Sequence, residues 1–246
     1  MSFRCAGLSD RGRVRESNED RWSADVELGL FVVSDGMGGL PAGEVAAEIA
    51  VATLPTLITT HFGAAPDITV PEATQRLRTV LAELSADVRA ESRDNPRRAG
   101  MGATAVVALV RQATALIGHL GDSRAYLWRA NSLQRLTRDH SLAQGLLDSG
   151  VITEQQAAEH PARHQLAYYL GMDGEVVADV RPITLHPADR LLLCSDGLTN
   201  MLDDARIQGI LDDHSDPDDA CRALVEAAND AGGHDNVTAL VAVHTA

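Results

Sequence analysis

Three apolar runs in this chain end on an acid, a fourth acid stands just before another such run, and the four are spread over most of its length. The stretch 29–39, GLFVVSDGMGG, carries Leu30, Phe31, Val32 and Val33 between glycines and reads as a short buried strand ending at Asp35. TALIGHLGD reaches Asp122, DRLLLCSD reaches Asp196 ahead of Gly197, and Asp235 in GGHDN precedes the strand-like NVTALVAV. One Asp-Gly after a strand is an ordinary turn. Several strand-end carboxylates in one place are different, because like charges oppose each other's ionisation and need a cation to hold them together. Oxygen-only ligands of this kind suit Mg²⁺ or Mn²⁺ and not zinc. Gly36, Gly38 and Gly39 let the backbone turn sharply and bring its carbonyls close to a bound ion. A site shared between Asp35 and Asp235 must draw on the whole chain, which predicts a single domain over 1–246.

The hydrophobic content of 45% supplies a sizeable core for that domain. Net charge is −14, and all 21 basic residues are Arg, with no Lys. Mechanisms that need a lysine, such as a Walker phosphate loop, a Schiff base or the kinase ATP lysine, are therefore excluded. Nucleic acid is an unexpected partner, since no basic stripe is present to neutralise phosphates. An acidic chain that handles phosphate needs metal ions to reverse its local field. No apolar run approaches the roughly 20 residues of a bilayer span, and MSFRCAGLSDRGR has no apolar signal region, so a cytoplasmic protein with no membrane partner is expected. Cys5, Cys194 and Cys221 are odd in number and widely spaced, which fits reduced thiols.

In chain order, FRCAGLSD reads as a strand followed by a polar turn in which Arg15, Asn18, Glu19 and Asp20 crowd together. A solvated charge run is the plain reading. The functional one gives Arg15 a phosphate to grip and gives Glu19 or Asp20 a place around a metal. Helical spacing predicts amphipathic helices from Gly43 to about His61, with Pro55 as a bend, and from Pro71 onward with Leu77, Leu81, Leu84 and Val88 on one face. Residues 63–70 read as a loop. Strands follow in GMGATAVVALV, ATALIGHLG, SRAYLWR and LQRLT, then in EVVADVRPITLHP and DRLLLCSD. Between them, about 139–174 holds short helical pieces, including a Thr153-capped helix, and is expected to be a helical flap beside the metal site. Helices at about 203–212 and 217–231 precede the last strand. Antiparallel meanders with helices outside them predict an α+β fold.

With RxxNED, SDGMGG, GAT, GDSR, SDGL and GGxDN in this order, the chain resembles the metal-dependent type 2C protein serine/threonine phosphatases in their compact bacterial form. The resemblance covers essentially all 246 residues. It implies a central antiparallel β-sandwich flanked by helices on both outer faces, with two Mn²⁺ or Mg²⁺ ions at one end and a third, weaker one beside them. Asp35 would bridge the two ions, Gly36 would offer its carbonyl to one, and Asp196 and Asp235 would hold the other. Glu19 and Asp20 would hold metal-bound waters, Arg15 would grip the substrate phosphate, Asp122 with Asp196 would hold the third ion, and Asn236 would orient the neighbouring acid. The implied reaction is hydrolysis of phosphoserine and phosphothreonine in proteins, by in-line attack of a hydroxide that bridges the ions, reversing a bacterial Ser/Thr kinase in signalling. A monomer is the favoured state.

The chain departs from the family pattern at Met37 and Leu40, where other members carry a histidine. In HPARHQLAYYLG, His164 and Tyr168 stand where the family usually has Asn and Arg. His119, His140, His160, His164 and His234 form no tight ligand pair of the HExxH kind. Two other functions remain open at this level. One is a phosphatase-like module that acts mainly by binding a partner, against which stands the presence of Asp35, Asp196 and Asp235. The other is a thiol-dependent phosphatase using Cys5 and Arg11, whose C-x₅-R spacing lacks the preceding strand and following helix that such a loop needs.

Overall fold

The computed structural model describes residues 2–37, 42–63 and 69–245. The Gly38–Gly39 turn, Leu40 and most of the 63–70 loop lie outside the described residues. Strands β1 (Ser2–Asp10), β10 (Val237–Thr245), β9 (Arg190–Cys194), β6 (Arg124–Arg129) and β7 (Ser132–Arg135) form one sheet in that order. The second runs β2 (Asp20–Asp25), β3 (Leu30–Asp35), β4 (Ala105–Arg111), β5 (Thr114–Leu120) and β8 (Asp179–Thr184). Every pairing is antiparallel. The two sheets stack, and helices cover both outer faces.

Antiparallel strands often keep one face wet and alternate polar with apolar. These do not, and the layers explain why. In β3, Leu30 and Val32 join a core under helices α1 (Gly43–Phe62) and α2 (Val70–Asp94), whereas Phe31 and Val33 point into the core between the sheets. In β10, Val237, Ala239 and Val241 meet the core under α6 (Asp204–Asp213) and α7 (Pro217–Asp230), and Leu240 and Ala242 face the other sheet. A strand buried on both sides must be apolar at successive positions, so it reads in sequence as a continuous run ending abruptly at a polar residue.

The helices follow local rules. Thr69 caps α2 in a reciprocal box with Glu72, and Pro71 sits in its first turn, where a missing N–H is harmless. Asp203 and Asp216 cap α6 and α7. Pro55 lies inside α1 without ending it. Helix α1 corrects one expectation: by length and composition it is long and apolar enough to cross a bilayer. Counting uninterrupted apolar residues missed this, because its threonines and small residues break the run while leaving it weakly polar. Its Ala46, Ala47, Ala50, Leu54, Ile58 and Phe62 are packed into the core over the second sheet.

Two short elements near the site escaped the sequence reading. Residues 20–25, DRWSAD, form β2, with Trp22 and Ala24 against the inter-sheet core and polar residues alternating between them. Helix α5 (Asp196–Thr199) starts directly at the acid that ends the SDGL strand, with Ser195 at its N-cap. Four residues are too few for a periodic signal. The 139–174 stretch contains α3 (Leu142–Asp148), capped by Ser141, and α4 (Glu154–Ala158), capped by Thr153 in a reciprocal box with Gln156.

Candidate metal centre

The strand register alone brings the first two acids together, since Asp20 of β2 pairs with Asp35 of β3. Buried hydroxyls then fix their neighbours. Thr104 donates its N–H to the Asp35 carbonyl at 2.8 Å and accepts the Asp35 N–H on Oγ1 at 3.0 Å, and that hydroxyl lies 2.6 Å from Ser123 Oγ. The GAT and GDSR motifs are thus tied to the end of β3. Asp20 Oδ2 accepts from Ser195 Oγ at 2.7 Å and from Thr238 Oγ1 at 2.6 Å, joining the SDGL turn and the last strand to the other sheet. The sequence reading passed over these hydroxyls. They stand inside or beside the quoted motifs, where nothing in the local pattern distinguishes them from ordinary turn hydroxyls.

Close backbone approach sets the rest. A Cβ on Gly197 would come within 2.0 Å of the Asn236 carbonyl oxygen, so only glycine lets the Asp196 and Asp235 loops lie side by side. A Cβ on Gly36 would meet the Gly43 carbonyl at 2.2 Å, which explains the glycine after Asp35 better than turn flexibility does. Asn236 supports Asp235 through its backbone and the 11–19 loop through its side chain. Its backbone N–H, at 2.8 Å, reaches Asp235 Oδ1, while its side chain accepts from Glu19 N at 2.8 Å and donates to the carbonyls of Arg11 and Ser17 at 2.9 and 2.8 Å. It orders the 11–19 loop that carries Arg15 and Glu19.

Arg15, Glu19, Asp35, Gly36, Asp122, Asp196, Asp235 and Asn236 all line one open cleft of about 1250 Å³, whose other wall is residues 141–166. Asp20 sits behind Asp35 and is almost fully buried. Arg15 Nη2 rests 2.7 Å from Asp235 Oδ2. Burial, then the charges of Asp20, Asp196, Asp122 and Asp235, hold the Asp35 carboxyl well above the ordinary range. Burial and Asp196 do the same to Asp122. Asp20 is pushed up to about 7 by burial, against the opposing hydrogen bonds from Thr238 and Ser195. Burial and Glu44 raise Glu19. Acids that raise one another across five separate stretches of chain share one site.

The donor set fits a hard divalent cation. Glu19 Oε2, Asp20 Oδ1 and Asp196 Oδ1 are buried acceptors with no hydrogen-bond partner among the described residues. An unpaired buried acceptor is costly, and a cation is the partner that also relieves the crowded charge.

Histidines form two further groups. His119, His140 and Asp179 lie together away from the cleft, with the two rings stacked at 4.4 Å and His140 Nε2 3.2 Å from Asp179 Oδ2. His119, pushed down to about 4 chiefly by burial, has Nε2 2.7 Å from the Arg138 carbonyl. His164 reaches the cleft beside Asp122 and Asp196, and His234 lines it. His160 Nδ1 accepts from the Ala162 N–H at 3.1 Å.

The thiol alternative fails on geometry. Cys5 sits inside β1, and six residues of extended chain, at about 3.3 Å each, put Arg11 on the order of 20 Å away. Burial pushes its thiol up, the wrong direction for a nucleophile.

Comparison with known proteins places the whole chain among relatives of one kind. The family model described as "Protein phosphatase 2C" matches residues 10–238. The sequence is 36% identical over 238 residues to the serine/threonine phosphatase stp of Listeria welshimeri, covering 95% of this chain and 92% of that protein. The fold superposes on the crystal structure of the Mycobacterium tuberculosis serine/threonine phosphatase PstP/Ppp with a TM-score of 0.89 and 33% identity, covering 100% of both chains. The catalytic domain of serine threonine protein phosphatase PstP in complex with two manganese ions gives a TM-score of 0.83 at 31% identity, covering 100% of this chain and 99% of that one.

Proposed function

The chain belongs to the protein phosphatase 2C family, the metal-dependent serine/threonine phosphatases, and from that premise we propose how its own residues divide the work. Asp35, the Gly36 carbonyl, Asp196 and Asp235 would hold two Mn²⁺ or Mg²⁺ ions, with Asp35 common to both. Glu19 and Asp20 would stand around those ions, and Asp122 with Asp196 would hold a third, weaker one. When bound, the ions lower the pKa of a water, align it on phosphorus and offset charge on the phosphoryl oxygens. No covalent enzyme intermediate is needed.

The observation that carries this reading is the convergence of Glu19, Asp35, Asp122, Asp196 and Asp235 on one cleft, with unpartnered oxygens among them. Asp20, behind Asp35, is fixed by Ser195 and Thr238 and keeps its other oxygen unpaired. Arg15, already 2.7 Å from Asp235 and 45% exposed, exchanges that partner for substrate phosphate. Its planar fork suits a phosphate better than a point charge does.

The substrates are proteins phosphorylated on serine or threonine, the products of a Ser/Thr kinase. The catalytic unit is the whole of 1–246, and about 139–174 serves as a flap over the cleft. The net charge of −14 favours basic phosphopeptides; equal kcat/KM for acidic and basic peptides at low salt would remove that preference. Hydrolysis of p-nitrophenyl phosphate, measured with Mn²⁺, with EDTA and in Cys5→Ser, tests the whole reading. Activity is expected to need the metal and to survive Cys5→Ser. Activity that survives EDTA and dies with the thiol would overturn it.

A further inference from the structure

The far wall of the cleft brings an imidazole nitrogen up to the acids of its floor. His164 Nδ1 lies 3.7 Å from Asp196 Oδ2. His164, Asp122 and Asp196 each offer a ligand atom, and the three atoms all lie within 4.8 Å of one another. A divalent cation with bonds of roughly 2.1–2.2 Å spaces its ligand atoms by at most about 4.3 Å, so a shift of about half an ångström would let the three groups share an ion. Asp196 also keeps Oδ1 buried and without a partner among the described residues, although Asn200 Nδ2 donates to its Oδ2 at 3.0 Å.

His164 is not on a free loop tip. Gln165 N donates to the Ala162 carbonyl at 3.1 Å, Leu142 N to the Gln165 carbonyl at 2.8 Å, and Ala167 N to the His140 carbonyl at 2.7 Å. These bonds fasten the return of the 139–174 segment to the residues just after Asp139. Asp139 in turn grips the Arg124 guanidinium at 3.0 and 2.8 Å, two residues from Asp122. Position 164 is therefore tied to the strand end that presents Asp122.

We infer that His164 is a direct ligand of the cation held by Asp122 and Asp196, and that its imidazole makes this site favour Mn²⁺ or Zn²⁺ over Mg²⁺. The inference rests on the assignment of Asp122 and Asp196 as metal-holding residues made above. Its physical basis is ligand softness: Mg²⁺ keeps to oxygen and gives up water reluctantly, whereas Mn²⁺ and Zn²⁺ accept imidazole. A ligand on the 139–174 segment also ties the resting place of that segment to occupancy of the site.

The test is Mn²⁺ binding to the full chain, counted by equilibrium dialysis and read by pulsed EPR, which registers the ¹⁴N of a directly bonded imidazole. The wild type is expected to show that nitrogen coupling, and His164→Ala to lose it while its weakest Mn²⁺ loosens at least about tenfold. In His164→Asp, which restores a charged oxygen ligand, Mg²⁺ should displace the weakest Mn²⁺ more readily than in the wild type. Equal affinity and an unchanged nitrogen signal in wild type and His164→Ala would overturn the inference, leaving His164 as a simple ion-pair partner of Asp196. Retention of the weakest site in Asp122→Asn would instead overturn the assignment beneath it.

Discussion

Asp20, buried behind the acids of the cleft floor, and His164, on the facing wall, stand on opposite sides of the same cleft. Asp20 is almost fully buried, with one carboxylate oxygen held by two hydroxyls at 2.7 and 2.6 Å that come from the other sheet. His164 is 45% exposed and its nearest charged partner is 3.7 Å away. The same contrast extends to their surroundings. The floor is fixed by the register of ten antiparallel strands and by short buried hydrogen bonds, whereas the facing segment is two short capped helices with exposed ion pairs such as Arg138 with Asp148. A wall that must hold like charges at fixed spacing needs rigid backing, because any slack lets the charges move apart. A wall without such crowding does not.

Asp35→Asn is the largest expected break in that contrast. With Mn²⁺ present, p-nitrophenyl phosphate turnover should fall on the order of 10³-fold, comparable to removing a group that stabilises developing charge. Stability without metal should move the other way, since the substitution removes one of the mutually repelling carboxylates. The sign of the pH effect follows from the same groups. Asp20, Asp35 and Asp122 have folded pKa values above their unfolded ones, so the metal-free fold binds more protons than the unfolded chain. Its Tm should therefore fall as pH rises from about 5 to 8, the three acids outweighing the single opposing His119 below about 6.5, while Asp139, held down by Arg124 and Arg135 against its burial, stays ionised throughout. Saturating Mn²⁺ should flatten that slope, and a metal-free Tm that rises with pH would contradict the crowded-acid picture.

Arg15→Ala comes next. Loss of a charge-assisted contact to phosphate, about 1.5–3 kcal/mol, predicts a fall in kcat/KM of about 10- to 150-fold. Steady-state kinetics should place much of that loss in KM. Asn236→Ala removes three side-chain hydrogen bonds to the 11–19 loop and is expected to cost about 1–3 kcal/mol. At this chain size that lowers Tm by roughly 2–4 °C per kcal/mol. Thr153→Ala, on the opposite wall, should have the smallest effect. It removes the cap of α4, about 1 kcal/mol of local stability. Hydrogen exchange should quicken around 150–160 while the global Tm moves by less than about 2 °C. A Tm drop as large as that of Asn236→Ala would show that the two walls unfold as one unit.

Much of this was legible from residues alone. The runs before Asp35 and Asp196 announce strands because Leu30 to Val33 and Leu191 to Cys194 are buried on both faces, which forces unbroken apolar sequence. The caps at Thr69 and Thr153 announce helices because the hydrogen bonds they make are local. Strand β2 was hidden because its burial is partial and its pattern polar, and α5 because four residues hold barely one turn. The hydroxyls of Thr104, Ser195 and Thr238 were invisible as site residues, since their partners lie 69, 175 and 218 positions away. The hydrogen bonds of the Asn236 side chain to residues 11, 17 and 19 were hidden for the same reason.

Sequence by itself determined which groups could do chemistry. It supplied acids at the ends of strands, arginine as the sole cation, and glycines where loops must touch, because residue type and short-range spacing fix donor chemistry and local backbone. The tertiary structure alone decided which of those groups meet. Whether Asp20 backs Asp35, whether Asn236 serves the acid beside it or a loop more than two hundred residues away, and whether His164 faces Asp196 depend on how two sheets stack and where one segment folds back. Those are long-range packing relations, and no local pattern in the chain encodes them.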